Sequence, residues 1–274
     1  MTSQRIHFTK MHGAGNDFIV IDNRKNLTDP DFFAKQIPLL CHRRYGIGAD
    51  GVLLLEAETG ASYRMVYKNA DGSDAGMCGN GGRCIALFAT TLGFSCGHTF
   101  TVGNSVYRAV VESHTVALHF PVESIVRSVD WPTDQKIYQV HTGTEHIVLE
   151  AGSDLLESDA ELVIRGQKLR HARAFSPAGT NVNFMTIKGD KRIRLRTYER
   201  GVENLTLACG TGSIASALTA HSLSGGSPDQ AQYTVECDGG ELEIGFNYDR
   251  ESRIYSQITL KGPAKIVFEG FIDI

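Results

Sequence analysis

The chain has 274 residues, enough for two modest domains or one large one. A hydrophobic content of 42% with 21% charged residues is that of a globular protein, and a formal net charge of −4 gives no electrostatic reason to expect nucleic acid or an anionic membrane as partner. No apolar run approaches the ~20 residues of a membrane helix, and Met1-Thr2-Ser3-Gln4-Arg5 lacks the apolar core of a secretory signal, so the cytoplasm is the expected location.

In chain order, alternating apolar and polar residues predict strands at 6–10, 62–69, 106–111, 116–120, 192–198, 233–237, 241–246 and 254–260. The second of these places Tyr63, Met65 and Tyr67 on one face. Helices are expected at 30–41, 80–92 and 211–223. In 80–92, Cys84, Phe88 and Leu92 recur at helical spacing, Ile85 and Leu87 widen the stripe, and Gly93 is a C-cap candidate. In 211–223, Ile214, Ala217 and Leu218 form the stripe among Ala, Ser and Thr, and Gly225-Gly226 ends it; a helix with so little charge is usually buried.

These two helices have matching approaches. The first is strand 62–69, the turn Asp71-Gly72-Ser73-Asp74, then Met77-Cys78-Gly79-Asn80-Gly81. The second is strand 192–198, the turn Glu199-Arg200-Gly201-Val202-Glu203, then Ala208-Cys209-Gly210-Thr211-Gly212. The repetition reads as an internal duplication and predicts two similar domains, with a boundary near Pro121 or at 128–132.

A glycine-rich turn at a helix start presents unpartnered N–H groups and the positive end of the helix dipole, which together favour an anion. Neither turn carries the Gly-Lys-Ser/Thr of a nucleotide loop, so a small carboxylate fits better. A cysteine there has its thiolate stabilised below the ordinary value of ~8.5. Six cysteines are present, at 41, 78, 84, 96, 209 and 237, with no Cys-x-x-Cys pair and no metal-site spacing. Cys41, Cys84, Cys96 and Cys237 read as small hydrophobes. Cys78 and Cys209, on duplicated helix starts, suit inversion of an α-carbon, which needs one acid and one base on opposite faces and stabilisation of charge on the substrate carboxylate.

With these residues in place, the sequence resembles the diaminopimelate epimerases. Met77-Cys78-Gly79-Asn80-Gly81-Gly82-Arg83-Cys84 and Ala208-Cys209-Gly210-Thr211-Gly212 match the stretches around the family's two catalytic cysteines. Further matches are Gly13-Ala14-Gly15-Asn16-Asp17-Phe18, Gly46-Ile47-Gly48-Ala49-Asp50-Gly51, Asn69-Ala70-Asp71-Gly72-Ser73, Asn181-Val182-Asn183-Phe184 and Tyr198-Glu199-Arg200-Gly201. They run in family order over most of the chain.

The resemblance implies a cofactor-independent, metal-free isomerase that interconverts LL- and meso-diaminopimelate for lysine and peptidoglycan precursors, commonly as a homodimer. It implies an α/β (α+β) fold of two pseudo-symmetric domains, each a mixed sheet curled around a central helix, with the site in the interdomain cleft. The domains would be 1–120 plus a returning strand at 262–274, and 121–261. Cys78 and Cys209 would be catalytic. Asn16, Asn69, Asn181, Glu199 and Arg200 would contact substrate, Arg200 by gripping the distal carboxylate. Gly79, Asn80, Gly210 and Thr211 would cradle the reacting carboxylate, and His146 and Glu199 would tune the thiols.

The chain departs from the family pattern at Thr144, where Gly143-Thr144-Glu145-His146 replaces the common Gly-Asn-Pro-His, and at Gly51, where a glutamine is common. Both bear on the distal end of the substrate. Two alternatives therefore stand beside the epimerase: a related racemase of another amino acid, and a non-catalytic dithiol binding or redox protein.

Overall fold

The structure is a computed structural model that describes residues 4–26 and 30–273. The chain divides into two compact units, Met1–His119 with Gly262–Ile274, and Phe120–Lys261.

Unit 1 starts with β1 (Arg5–Gly13), β2 (Asn16–Asp22), α1 (Pro30–Cys41), β3 (Gly51–Glu56), β4 (Tyr63–Asn69) and the short β5 (Asp74–Ala75). It continues with α2 (Gly79–Thr91), β6 (Gly97–Val102), β7 (Ser105–Glu112) and β8 (Thr115–His119). Unit 2 holds β9 (Arg127–Val129), β10 (Ile137–His141), β11 (Glu145–Glu150), the single turn α3 (Ser153–Leu156), α4 (Asp159–Arg170) and β12 (Asn181–Gly189). Then come β13 (Arg192–Glu199), β14 (Asn204–Thr206), α5 (Gly210–Leu223), β15 (Gln230–Cys237), β16 (Gly240–Asp249) and β17 (Ile254–Pro263). The last strand, β18 (Lys265–Asp273), belongs to unit 1 and pairs antiparallel with β1.

The duplication seen in two motifs extends over the whole of each unit. In unit 1, β1 and β2 are antiparallel, β2 and β3 parallel, β3 and β4 antiparallel, β4 and β6 parallel, and β6, β7 and β8 a meander. In unit 2, β10 and β11 are antiparallel, β11 and β12 parallel, β12 and β13 antiparallel, β13 and β15 parallel, and β15, β16 and β17 a meander. Even the outer strands correspond: β18 flanks β1 as β9 flanks β10. Each parallel pair requires a crossover, and each crossover is a helix. The first in each unit lies outside: α1 covers Ile6, Phe8, Ile19, Ile21, Val52 and Leu54, and α4 covers Val182, Phe184 and Tyr198.

The second crossover helix lies inside. Helix α2 touches β1, β2, β3, β4, β7, β8 and β18, so the sheet wraps around it; α5 touches β10, β11, β12, β13, β15 and β16 in the same way. Small residues make this possible. A Cβ at Gly82 would lie 2.9 Å from Leu118 Cδ1 and 2.7 Å from Met77 Cε, closer than side chains pack. In α5 every residue from Gly210 to His221 is buried.

Candidate active site

Each unit places one cysteine at the start of its central helix. Cys78 is the N-cap of α2 with φ −112° and ψ 118°, and Cys209 is the N-cap of α5 with φ −113° and ψ 110°. In both, the sulfur accepts the N–H three residues on: Gly81 at 3.5 Å from Cys78 Sγ and Gly212 at 3.4 Å from Cys209 Sγ. Each sulfur thus occupies the place where a helix N-terminus best holds negative charge, with no acidic residue in either first turn. Cys41 and Cys84 are different in kind. Burial pushes Cys41 up to about 11 and raises Cys84 further, so neither is a thiolate at neutral pH.

In unit 1 the structure brings Asn16, Cys78, Gly79 and Asn80 together. Cys78 Sγ lies 3.6 Å from Asn16 Oδ1, and Asn80 Nδ2 donates to the same oxygen at 3.3 Å. Asn80 Oδ1 accepts from the buried Arg83 at 2.7 Å, and Arg83 also donates to Gly79 O at 3.2 Å and Pro263 O at 3.2 Å. Asn16 Nδ2 donates to Asp50 Oδ2 at 2.7 Å. Gly13 permits this approach, since a Cβ there would meet Asn80 O at 2.9 Å. Behind it, Asp17 is held by Arg43 at 2.8 Å and Lys10 at 2.7 Å. Burial alone would raise the Asp17 carboxyl, but these two cations bring it down to about 2.

Asn69 ends β4 at the same end of the sheet: it faces Gly51, which faces Phe18 near the start of β2. Its side-chain N–H₂ donates to Ser73 Oγ at 3.0 Å. Gly51 has no room for a side chain: a Cβ would lie 2.5 Å from Tyr67 Cε2 and 2.5 Å from Lys68 O. Tyr67 fills that space, stacked edge-on against Phe18.

In unit 2 the starts of β11 and β12 and the end of β13 meet. Asn181 Oδ1 accepts from Arg200 N at 2.9 Å, and its Nδ2 donates to Glu145 O at 2.9 Å. The Arg200 guanidinium donates to Thr144 Oγ1 at 3.1 Å and Ala178 O at 3.4 Å. Thr144 therefore braces Arg200. Glu199, paired opposite Asn204, precedes it at the end of β13. Thr211 Oγ1 lies 3.6 Å from Cys209 Sγ, and its carbonyl accepts from Thr142 Oγ1 at 3.2 Å.

His146 is fully buried in β11. Asn183 Nδ2 donates to its Nδ1 at 3.0 Å, and Thr197 Oγ1 donates to Asn183 Oδ1 at 2.9 Å. Accepting at Nδ1 puts the imidazole proton on Nε2, which meets no hydrogen-bond partner among the described residues. Burial, reinforced by the charge of Arg200, lowers this imidazole to about 3, so it is neutral at physiological pH.

Asp50, Arg83, Tyr67, Asn183 and Thr197 are members of these clusters that sequence reasoning did not single out. Asp50 lies next to Gly51 in a matched stretch, but its partner Asn16 comes from a different strand, so no local pattern announced it. Among the described residues no group of His, Cys, Asp and Glu is arranged to hold a metal ion. No described helix is long and apolar enough to cross a membrane.

The diaminopimelate epimerase family profile matches residues 8–118 and 138–267, which includes both cysteine-capped helices. The chain belongs to the diaminopimelate epimerase family. A diaminopimelate epimerase from Chlorobaculum tepidum is 39% identical, covering 96% of this chain and 100% of that protein. One from Flavobacterium psychrophilum is 37% identical, covering 96% and 98%. Membership in this family of isomerases makes the chain an isomerase.

Solved structures share the fold at much lower identity. A phenazine biosynthesis protein of the PhzF family from Bacillus anthracis aligns with a TM-score of 0.78 at 13% identity over 100% of both chains. A hydroxyproline epimerase from Agrobacterium vitis aligns with a TM-score of 0.72 at 15% identity over 99% of this chain and 93% of that one. The duplicated architecture is thus not confined to the diaminopimelate epimerase family.

Proposed function

We propose that the protein interconverts LL- and meso-diaminopimelate without a cofactor, Cys78 and Cys209 acting as the acid–base pair. One thiolate removes the α-proton, the C–H electron pair is held by the substrate carboxylate as an enediolate-like carbanion, and the other thiol delivers its proton to the opposite face. The enzyme ends with the two sulfur protonation states exchanged, so the step balances without an electron sink. The reading rests on one observation: two sulfurs cap glycine-rich helix N-termini with almost the same backbone angles, in a chain of this family.

The N–H groups of Gly79, Asn80, Gly210 and Thr211 would stabilise the reacting carboxylate, where preorganised donors are most effective. Asn16, Asn69, Asn181, Glu199 and Arg200 would bind the rest, and neutral His146 with Glu199 would tune the thiols. In this reading the enzyme is cytoplasmic and serves lysine and peptidoglycan precursor synthesis. It also forms a homodimer. In support, Ile266 (40%), Val267 (55%), Phe268 (48%) and Phe271 (61%) all stand exposed on β18. Antiparallel approach of two copies would set the Lys265 end of each strand against the Asp273 end of the other.

The test is incubation with LL-diaminopimelate in heavy water under reducing conditions. The expected result is deuterium at the α-carbon and appearance of the meso isomer. Exchange on another amino acid instead would favour the related-racemase reading, which Tyr67 beside Gly51 and Thr144 on Arg200 support, since both alter the surroundings of the distal end. No exchange on any amino acid would overturn both and leave a dithiol binding or redox protein.

A further inference from the structure

We propose that Asp50 is a positioning residue for Cys78: it fixes the direction of a hydrogen-bond relay that holds the Asn16 oxygen against the thiol and keeps that thiol protonated in the resting enzyme. The inference rests on the reading above that Cys78 is an acid–base group.

The relay has four members. Arg83 donates to Asn80 Oδ1 at 2.7 Å, Asn80 Nδ2 donates to Asn16 Oδ1 at 3.3 Å, and Asn16 Nδ2 donates to Asp50 Oδ2 at 2.7 Å. The two amides in the middle could each face either way. The two ends could not: a guanidinium can only donate and a carboxylate can only accept. With the ends fixed, both amides have one satisfied orientation. That orientation turns Asn16 Oδ1, an acceptor, toward Cys78 Sγ at 3.6 Å.

An acceptor beside a sulfur favours the S–H form, because only the thiol can donate to it. The helix N-terminus pulls the other way, toward the thiolate, through Gly81 N–H. Asn16 is therefore a counterweight, and Asp50 is what makes it one. Were the amide to flip, its N–H₂ would donate to sulfur and both influences would favour the thiolate. Cys209 is built differently. One of its neighbours, at 3.6 Å, is the hydroxyl of Thr211, which can rotate to donate to a thiolate. The arrangement suits a resting enzyme with Cys78 as acid and Cys209 as base.

Asp50 is itself held: its other oxygen accepts from Arg43 at 2.7 Å, and Oδ2 also accepts from Asp17 N at 3.2 Å. The Asp17, Arg43 and Lys10 cluster is thus the mount for Asp50.

The experiment is the pH dependence of Cys78 alkylation by iodoacetamide in the full chain, resolved by peptide mass spectrometry, with exposed Cys96 as internal reference. Asp50→Asn can present either a donor or an acceptor to Asn16. It should move the Cys78 midpoint down by about half a pH unit, or roughly threefold faster alkylation near pH 7. Asp50→Glu keeps an acceptor-only end and should stay with the wild type. Asn16→Ala removes the acceptor and should also lower the midpoint, so the idea remains testable if Asp50→Asn does not fold. An unmoved midpoint in Asn16→Ala, or equal shifts in Asp50→Asn and Asp50→Glu, would overturn it. These outcomes are separate from the function itself: Cys78→Ala with retained turnover would overturn the two-thiol reading without touching the relay.

Discussion

Cys78 and Cys209 owe their proposed reactivity to the helix N-termini they cap, where the N–H groups of Gly81 and Gly212 donate to the sulfurs. Replacing either by alanine removes one face of the proton exchange, so each variant should lose epimerisation by at least about a thousandfold, the order expected when an essential acid or base is deleted. Circular dichroism should stay unchanged. Near-normal turnover in either variant would refute the two-thiol mechanism.

His146 has a consequence for stability. Its imidazole falls from 6.5 in the unfolded chain to about 3 when folded. The unfolded state therefore binds a proton that the folded state does not, and stability declines as pH drops from 6.5 toward 3. Asp17, lowered from 3.8 to about 2, adds stability that is present above 3.8 and lost as pH falls through 2. Urea titrations from pH 7 to 4 should show a falling midpoint in the wild type and a shallower fall in His146→Asn. Equal slopes would mean that His146 does not carry the effect.

At the scale of elements, Gly212 is the tightest point of α5. A Cβ there would stand 2.3 Å from Asn183 Oδ1 and 3.2 Å from Thr197 Oγ1. Gly212→Ala should cost about 1–3 kcal/mol, because it pushes apart a buried hydrogen-bonded trio that includes His146. A change below about 0.5 kcal/mol in chemical denaturation would show that the trio yields freely.

The same helix shows what sequence makes visible. Gly-rich entries, small residues and closing glycines announced α2 and α5 because those features are local; Gly93 and Gly225 indeed take φ of 93° and 86°. Helix α4 was not anticipated. It buries only Leu162 and Gly166, the latter against the Tyr198 ring, so its apolar stripe is too thin to register. Strands β2 and β3 escaped for the opposite reason: Phe18 to Ile21 and Gly51 to Leu55 are buried without alternation, as parallel neighbours covered on both faces require. Asn16 and Cys78 were legible through family motifs. Asp50 and Arg83 were not, because their roles depend on which way two amides face, and that is decided only when β2, the turn before β3 and α2 meet.

For the whole molecule, the exposed apolar row on β18 is the feature with the clearest consequence for assembly. Burying Val267 and Phe271 between two copies would remove apolar surface at about 25 cal/mol per Å². Phe271→Lys should therefore shift the sedimentation profile from dimer to monomer at micromolar protein. A wild type that sediments as a monomer would place that strand outside any homodimer.

Strand β18 also bears on the order of synthesis. It lies at residues 265–273, yet it completes the sheet of the unit that begins with β1. Unit 2 is contiguous from Phe120 to Lys261 and has all its strands as soon as it has left the ribosome. Unit 1 starts to emerge first but is completed after unit 2, its β1 edge waiting for a strand translated only once Lys261 has been passed. A pairing between residues so far apart closes the longest loop in the molecule, the kind of contact that forms late in folding. Until it does, the hydrogen-bonding edge of β1 is open to other chains, which makes the nascent protein prone to aggregate throughout the interval in which unit 2 is being made.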